Sequence, residues 1–240
     1  MPDRTRRVPE TRDASASRSV AAFLERARSV APPTRTEAVQ RLIFAIDATA
    51  SRQPTWDLAS ELHAELFAEV ERLGHVAVQL VYFRGVSEFR ASDWLTTPAQ
   101  LRSRMLEVRC AAGRTQLVRL LAHAGQEAAR SPVRALIFIG DAFEESRDDL
   151  LVAAGQLALR QVPVIAFQEG DDRAAADALG AIAVRTGGAH VRFDPGSAAA
   201  LRELLAAAVR FATGGRAALI EYARTARLGG ARQLLSQLRP

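Results

Sequence analysis

Lysine is absent from this 240-residue chain, and all 32 basic residues are arginine. The absence excludes a phosphate-binding loop of the Gly-Lys-Ser/Thr type; we attribute the exclusive use of arginine first to coding bias and only second to binding. The one cysteine, Cys110, excludes an intramolecular disulfide and a cysteine-based metal site. Aromatic residues make up only 6% of the chain, so we expect a core of Leu, Val, Ile and Ala.

Long apolar runs are also missing. No run is long enough to span a bilayer, and the N-terminus lacks the apolar segment of a signal peptide. The sequence therefore predicts a cytoplasmic protein without a transmembrane segment.

Positive charge is concentrated at the two ends of the chain. Residues 1–41 contain 9 Arg and 5 acids, and residues 210–240 contain 6 Arg and 1 acid, whereas residues 42–209 contain 17 Arg and 21 acids. The basic pI of 10.7 is thus a property of the ends, and no specific nucleic-acid-binding face is indicated on the core. The ends are either solvated tails or contacts for an acidic protein, RNA or an anionic membrane.

Apolar strands alternate with amphipathic helices over most of the chain. Strands are predicted at 42–46, 77–83, 86–90, 135–139, 162–167 and 190–193, and helices at 55–73, 98–108, 115–130, 147–160, 174–186 and 197–211. The tight Arg84-Gly85 link makes residues 86–90 an antiparallel strand. We therefore predict an α/β fold of the Rossmann-like type: a doubly wound, mainly parallel six-stranded sheet with one antiparallel edge strand and helices on both faces.

Three regions are expected along the chain. Residues 1–37 form a basic N-terminal arm, partly disordered and with a short helix at 19–30, because the first residues contain too few apolar side chains to order. Residues 38–212 form the α/β domain. Residues 213–240, which begin at Gly214-Gly215, form a helical C-terminal extension that we expect to pack on the core.

Oxygen-bearing side chains follow the first and fourth predicted strands. Asp47, Thr49 and Ser51 occupy alternate positions after the first strand, Asp141 follows the fourth, and Thr115 precedes a helix. Because ligands of such sheets bind beyond the carboxyl ends of the strands, we expect these residues to converge. Two carboxylates and three hydroxyls, with no soft ligand, are a donor set for a hard divalent cation such as Mg²⁺.

These motifs resemble the metal-ion-dependent adhesion site (MIDAS) of von Willebrand factor type A (VWA) domains. Asp47, Thr49 and Ser51 match the Asp-x-Ser-x-Ser segment, with Thr in place of the usual first Ser, while Thr115 matches the loop threonine and Asp141 the later aspartate. The resemblance covers roughly residues 40–212 and includes the Arg-Thr-Gly-Gly turn at 185–188. It implies a bacterial VWA domain protein.

The resemblance implies protein–protein recognition that depends on a divalent cation, as in an adaptor or assembly factor, and no enzymatic activity. Mg²⁺ is the expected ion, with Mn²⁺ and Ca²⁺ as alternatives, and an Asp or Glu of another protein completes its coordination. Bacterial domains of this kind often serve AAA-type ATPase systems, which makes such a system an implied partner. We predict that Arg114, Glu144 and Glu145 form the partner-binding rim of the site.

Two alternative interpretations of these motifs were weighed. In the first, Asp47 and Asp141 only bind loop amides, and the chain is a metal-free VWA-like scaffold whose basic tails bind an acidic protein, RNA or an anionic membrane. The second is a phosphatase of the haloacid dehalogenase type. It is disfavoured because Thr49 stands where a second carboxylate is needed and the chain has no lysine. No histidine pairs convincingly with Ser and Asp, so we predict no catalytic residue.

Overall fold

Six strands form one sheet in the computed structural model, which describes residues 39–52, 76–194 and 198–238. In chain order the strands are β1 (Gln40–Asp47), β2 (Val76–Arg84), β3 (Glu88–Ala91), β4 (Ala135–Gly140), β5 (Val164–Glu169) and β6 (Ala189–Phe193). They lie in the order β3-β2-β1-β4-β5-β6. Only the β2–β3 pair is antiparallel among these strands. The predicted sheet, mainly parallel with one antiparallel edge strand, is confirmed.

Helices cover both faces of this sheet. They are α1 (Pro98–Glu107), α2 (Leu117–Arg130), α3 (Arg147–Leu159), α4 (Arg173–Thr186), α5 (Ala198–Thr225) and α6 (Gly230–Gln237), with one short 3₁₀ helix at Ala50–Arg52. Helices α1, α5 and α6 pack on one face, and α2, α3 and α4 on the other. The helices predicted at 19–30 and 55–73, and the whole predicted arm, lie outside the described residues.

The continuous apolar run in β1 is explained by its central place in the sheet. Leu42, Phe44 and Ile46 join the hydrophobic cluster on the face of α1, α5 and α6. Ile43 and Ala45 point the opposite way, into the cluster with α2, α3 and α4. Because both faces are covered, neither set of alternating positions can be polar.

Local sequence signals set the start of helix α1. The Thr97 side chain accepts a hydrogen bond from the backbone N–H of Gln100, and the Gln100 side chain accepts one from the backbone N–H of Thr97. Pro98 follows in the first turn, where its missing N–H costs nothing. The sequence therefore determines the start of this helix by itself.

Helix α5 is interrupted where the sequence has the Gly214-Gly215 pair. The prediction ends one helix near residue 211 and begins the helical extension at Gly214-Gly215, and in the structure helical turns lie on both sides of this pair, from Ala198 to Thr225. Only Gly215 departs from helical geometry, with φ 67° and ψ −164°. Glycine adopts a positive φ at little cost, so the chain breaks direction at this residue and then resumes the helix.

The C-terminal helices belong to the same packed structure as the sheet. Leu219, Ala223 and Leu234 are buried in the hydrophobic cluster that contains the β1 side chains. The buried carboxylate of Glu203 accepts hydrogen bonds from the backbone N–H groups of Leu228 and Ala231, at 2.7 and 3.2 Å. This carboxylate satisfies donors at the start of α6, where the N–H of the buried Ala231 would otherwise have no partner in its own helix.

Among the described residues, no helix has both the length and the apolar content needed to cross a membrane.

Candidate metal-binding site

The carboxyl ends of β1, β2 and β4 lie side by side at one edge of the sheet. The strand register pairs Asp47 with Phe83 and Ile46 with Ile139, so Gly140 lies next to Asp47. A Cβ atom placed on Gly140 would be only 3.3 Å from the Cβ of Asp47. The two predicted aspartates, Asp47 and Asp141, therefore leave adjacent strands at the same level.

The Asp47 carboxylate is buried and only half satisfied. Its Oδ1 accepts a hydrogen bond of 2.9 Å from the backbone N–H of Thr49. Its Oδ2 is buried and has no hydrogen-bond partner among the described residues. Burial raises the pKa of Asp47 from 3.8 to about 6, and the negative charge of Asp141 raises it as well. The hydrogen bonds from Thr49 and the charge of Arg52 lower this pKa, but they do not offset burial.

The Asp141 carboxylate also has a buried oxygen, Oδ1, without a hydrogen-bond partner among the described residues. Buried polar atoms are normally hydrogen-bonded, because leaving one unpaired costs about 1–3 kcal/mol. Two adjacent carboxylates that repel each other and each keep an unpaired oxygen are an arrangement that a divalent cation would relieve. The residues present thus fit the metal that the sequence predicts.

The two hydroxyls after β1 lie against each other. Thr49 Oγ1 and Ser51 Oγ are 3.1 Å apart, because the chain turns through the 3₁₀ helix Ala50–Arg52 directly after the strand. Thr49 is buried, whereas Ser51 is exposed. The pair offers two neutral oxygen donors, one at the floor and one at the rim of the site.

The loop that carries Thr115 is held at the same edge by three hydrogen bonds. Thr115 Oγ1 accepts a hydrogen bond of 3.1 Å from the backbone N–H of Glu144, in the loop after Asp141. The preceding N–H of Arg114 donates to the carbonyl of Gly85, and the N–H of Ala111 donates to the carbonyl of Ala48, both at 3.1 Å. The loop that carries Thr115 is thereby tied to the ends of β1, β2 and β4.

The predicted rim residues divide into two kinds. Arg114 and Glu144 are exposed, as a surface that contacts a partner requires. Glu145 is partly buried, and its two carboxylate oxygens accept hydrogen bonds from the backbone N–H groups of Leu117 and Val118. Helix α2 has no side-chain cap of its own at Gln116, so Glu145 supplies that cap from another loop. Its carboxylate is used within the domain.

Replacing Glu145 by Gln is expected to destabilise the protein by about 1–2 kcal/mol, because the helix start loses a charged acceptor that binds two N–H groups. The free energy of unfolding from urea titration measures this loss. Glu144→Gln is the matched control: the side chain is exposed next to Glu145, and its replacement should change stability by less than about 0.5 kcal/mol. Equal effects of the two substitutions would contradict the capping role.

Arg52 supports the loop after β1 through contacts that the sequence did not reveal. Its side chain is completely buried; Nε and Nη2 both lie 2.8 Å from Oε2 of Glu169, and Nη1 donates to the backbone carbonyl of Asp47 at 3.0 Å. The ion pair joins the loop after β1 to the end of β5, across the end of β4. Glu169 follows Arg52 by 117 residues, and no local pattern in the sequence connects the two.

Clusters of conventional metal ligands do not occur in the described ranges, the candidate site included. No group of three or more His, Cys, Asp or Glu side chains is positioned to hold an ion within residues 39–52, 76–194 and 198–238. His123 and His190 each lie within hydrogen-bond distance of a glutamine side chain, Gln79 and Gln168 respectively. The candidate site therefore depends on hydroxyl donors to supplement its two carboxylates.

Comparison with solved structures identifies the fold. This chain is similar to a von Willebrand factor type A protein from Catenulispora acidiphila (TM-score 0.57, 20% identity). It is also similar to proximal thread matrix protein 1 (PTMP1) from the mussel byssus with a zinc-occupied MIDAS motif (TM-score 0.58, 16% identity), and to the SpRpn10 VWA domain (TM-score 0.56, 12% identity). These alignments cover 70%, 70% and 72% of this chain and 42%, 45% and 95% of the respective structures.

The fold is thus that of a VWA domain. The chain spans less than half the length of the first two structures. No protein-family model matches the sequence, and no match was found among the curated proteins.

Proposed function

We propose that this protein recognises another protein through a divalent cation held by Asp47, Thr49, Ser51, Thr115 and Asp141. The observation that carries the proposal is the pair of adjacent strand-end carboxylates, each with a buried oxygen that lacks a hydrogen-bond partner among the described residues. No hydrogen bond within the described structure explains why this sheet edge contains two such oxygens. A bound cation does explain it.

The chemistry of the donors indicates how such a site would work. Hydroxyl oxygens of Thr49, Ser51 and Thr115 are neutral, and only Asp47 and Asp141 bring charge, either directly or through coordinated water. When bound, the ion supplies an electrophilic centre with an incomplete shell. An Asp or Glu side chain of a partner protein provides the missing anionic oxygen. We favour Mg²⁺ because all five donors are hard oxygens, and Mn²⁺ or Ca²⁺ would use the same donors.

The structural comparisons support metal binding in this fold, since PTMP1 has been observed with zinc in its MIDAS motif. In this chain the proposed donors lie at the carboxyl ends of β1 and β4 and in the loop before α2. An adaptor role in an AAA-type ATPase system follows from the family resemblance alone. We propose this adaptor role, and with it a cytoplasmic protein that has no enzymatic activity.

Replacing Thr115 by Val is expected to abolish stabilisation by Mg²⁺. An ion that binds only the folded state raises the melting temperature, by about 5 °C or more for a domain of this size when the free ion is about 100-fold above its Kd. Val preserves the shape of Thr but removes the donor oxygen. Thr115→Ser is the matched control, because it keeps the hydroxyl and should keep the shift.

Thermal unfolding with increasing Mg²⁺, against an EDTA reference, checks this prediction. A wild-type melting temperature that does not respond to Mg²⁺, Mn²⁺ or Ca²⁺ would refute the metal site and favour the metal-free scaffold. In that scaffold the C-terminal segment does not act as a loose tail, because α6 and the second half of α5 pack in the core.

A further inference from the structure

Charge is divided across the sheet edge that carries the candidate metal site. Residues 84–91 and 106–119, which we call the hairpin–loop surface, contain five arginines and two glutamates, a formal charge of +3. Residues 141–149, which follow β4, contain five acids and one arginine, a formal charge of −4. Thr115 belongs to the first group and Asp141 to the second, so the site lies at the boundary between them.

Hydrogen bonds to backbone carbonyls make the hairpin–loop surface one continuous unit. Arg84 Nη1 donates to the carbonyl of Arg109 at 2.6 Å. The N–H of Arg114 donates to the carbonyl of Gly85 at 3.1 Å, and Arg119 Nη1 donates to the carbonyl of Ser87 at 3.0 Å. The hairpin between β2 and β3 and the loop before α2 are therefore locked together beside Thr115.

Several cations on this surface are not neutralised. Arg84 and Arg90 both pair with Glu88, at 2.8 and 3.5 Å, and the second acid of the surface, Glu107, pairs with an arginine outside it. The three remaining arginines are exposed and form no ion pair among the described residues: Arg109, Arg114 and Arg119. Exposed cations without acidic neighbours favour an anionic partner.

Apolar side chains project from the same surface. Val86, at the tip of the hairpin, is 84% exposed, and Leu106, at the end of α1, is 58% exposed. Apolar side chains bordered by unpaired cations are typical of a protein-binding surface with a polar rim.

We propose that the hairpin–loop surface binds an acidic segment of the partner protein that also contains apolar side chains. The inference rests on the proposed function and extends it. One carboxylate of the segment reaches the ion, neighbouring carboxylates pair with Arg109 and Arg114, and an apolar side chain contacts Val86 or Leu106. The site thereby selects an acidic stretch over an isolated Asp or Glu.

The charge division favours a peptide over nucleic acid or a membrane. A long polyanion or a flat anionic membrane that reached Arg114 would also meet residues 141–149, whose charge of −4 repels it. A short acidic peptide avoids this repulsion, because it lies along only one side of the site.

Fluorescence anisotropy of the full chain tests the inference. The probe is a labelled synthetic peptide that alternates glutamate with leucine, measured in Mg²⁺ and in EDTA. The test variant is Arg109→Glu with Arg114→Glu. The control is Arg134→Glu with Arg160→Glu, which changes net charge equally at exposed positions outside the surface. At low salt the test variant should weaken peptide binding about tenfold, with a smaller effect at high salt, and the control should weaken it less than about threefold.

The outcomes separate this inference from the proposed function. If Mg²⁺ still raises the melting temperature but the two variants bind the peptide equally, or the wild type does not bind it, the inference is wrong and the metal site stands. If Mg²⁺ does not raise the melting temperature of the wild type, the proposed function fails and the inference fails with it. Tighter binding of single-stranded RNA or of anionic phosphatidylserine vesicles than of the peptide, with the same dependence on Arg109 and Arg114, would also overturn the inference.

Discussion

Replacing Asp47 by Asn is expected to stabilise the metal-free protein at pH 8 and to abolish its stabilisation by Mg²⁺. The buried Asp47 carboxyl has its pKa raised from 3.8 to about 6, mainly by burial. At pH 8 the folded protein therefore carries a buried negative charge on Asp47, which lowers its stability. The rise of this pKa from 3.8 to about 6 corresponds to about 3 kcal/mol of folding stability lost at pH 8. Asn removes the charge but keeps an oxygen that can accept the Thr49 N–H.

The sign of the pH dependence follows from the same shift. Between pH 3.8 and about 6 the folded state binds more protons at Asp47 than the unfolded state does. Stability of the metal-free wild type should therefore fall as pH rises through this window and level off above it, opposite to an acid whose pKa is lowered on folding. Asp47→Asn should lack this contribution, so the two proteins should converge near pH 4.

Urea titrations in EDTA at several pH values, repeated with Mg²⁺ at pH 8, measure both effects. Asp93→Asn is the control, because Asp93 is exposed and its replacement should change stability by less than about 0.5 kcal/mol. A variant that is less stable than wild type in EDTA at pH 8, or that responds to Mg²⁺ as wild type does, would contradict the expected role of Asp47.

Replacing Arg52 by Met is expected to destabilise the protein by about 3–5 kcal/mol, the cost of breaking a buried ion pair by removing one partner. Glu169 is only 6% exposed, so the substitution leaves its carboxylate without a cation at 2.8 Å. The carbonyl of Asp47 also loses its hydrogen bond from Nη1. This effect is large because neither group can reach solvent without opening the sheet edge.

The double substitution Arg52→Met with Glu169→Leu separates a buried charge from lost packing. Removing both charges should restore most of the stability, because a hydrophobic pair of similar volume is often as stable as a buried ion pair. The free energies of the two single variants and the double variant complete a double-mutant cycle. Additive losses, with no coupling between the two positions, would show that the ion pair does not hold the loop after β1.

The central strands and their polar ends were predictable because their signals are local. Apolar side chains at every position from Leu42 to Ile46 and from Ala135 to Ile139 require a sheet covered on both faces. The parallel arrangement of these strands then places Asp47 and Asp141 at one edge, and the short Arg84-Gly85 link determines the antiparallel β3. All of these inferences use neighbours in sequence and the geometry common to α/β sheets.

The supporting contacts were not predictable because their partners are distant in sequence. Glu145 looked like a solvent-exposed rim residue, since nothing local shows that α2 lacks its own cap. The pair of Arg52 with Glu169 spans 117 residues. The break of α5 at Gly215, by contrast, follows the local signal of the Gly214-Gly215 pair. The contacts of Glu145, and of Arg52 with Glu169, form only in the tertiary structure.

The claim that the five oxygen donors bind one divalent ion is tested most directly by crystals grown with Mn²⁺, using anomalous diffraction to locate the metal. The account predicts one anomalous peak between the ends of β1 and β4, in direct contact with hydroxyl oxygens of Thr49, Ser51 and Thr115 and next to Asp47 Oδ2 and Asp141 Oδ1. A map without a peak at this edge, in which the two aspartates bind water or share a proton, would contradict it.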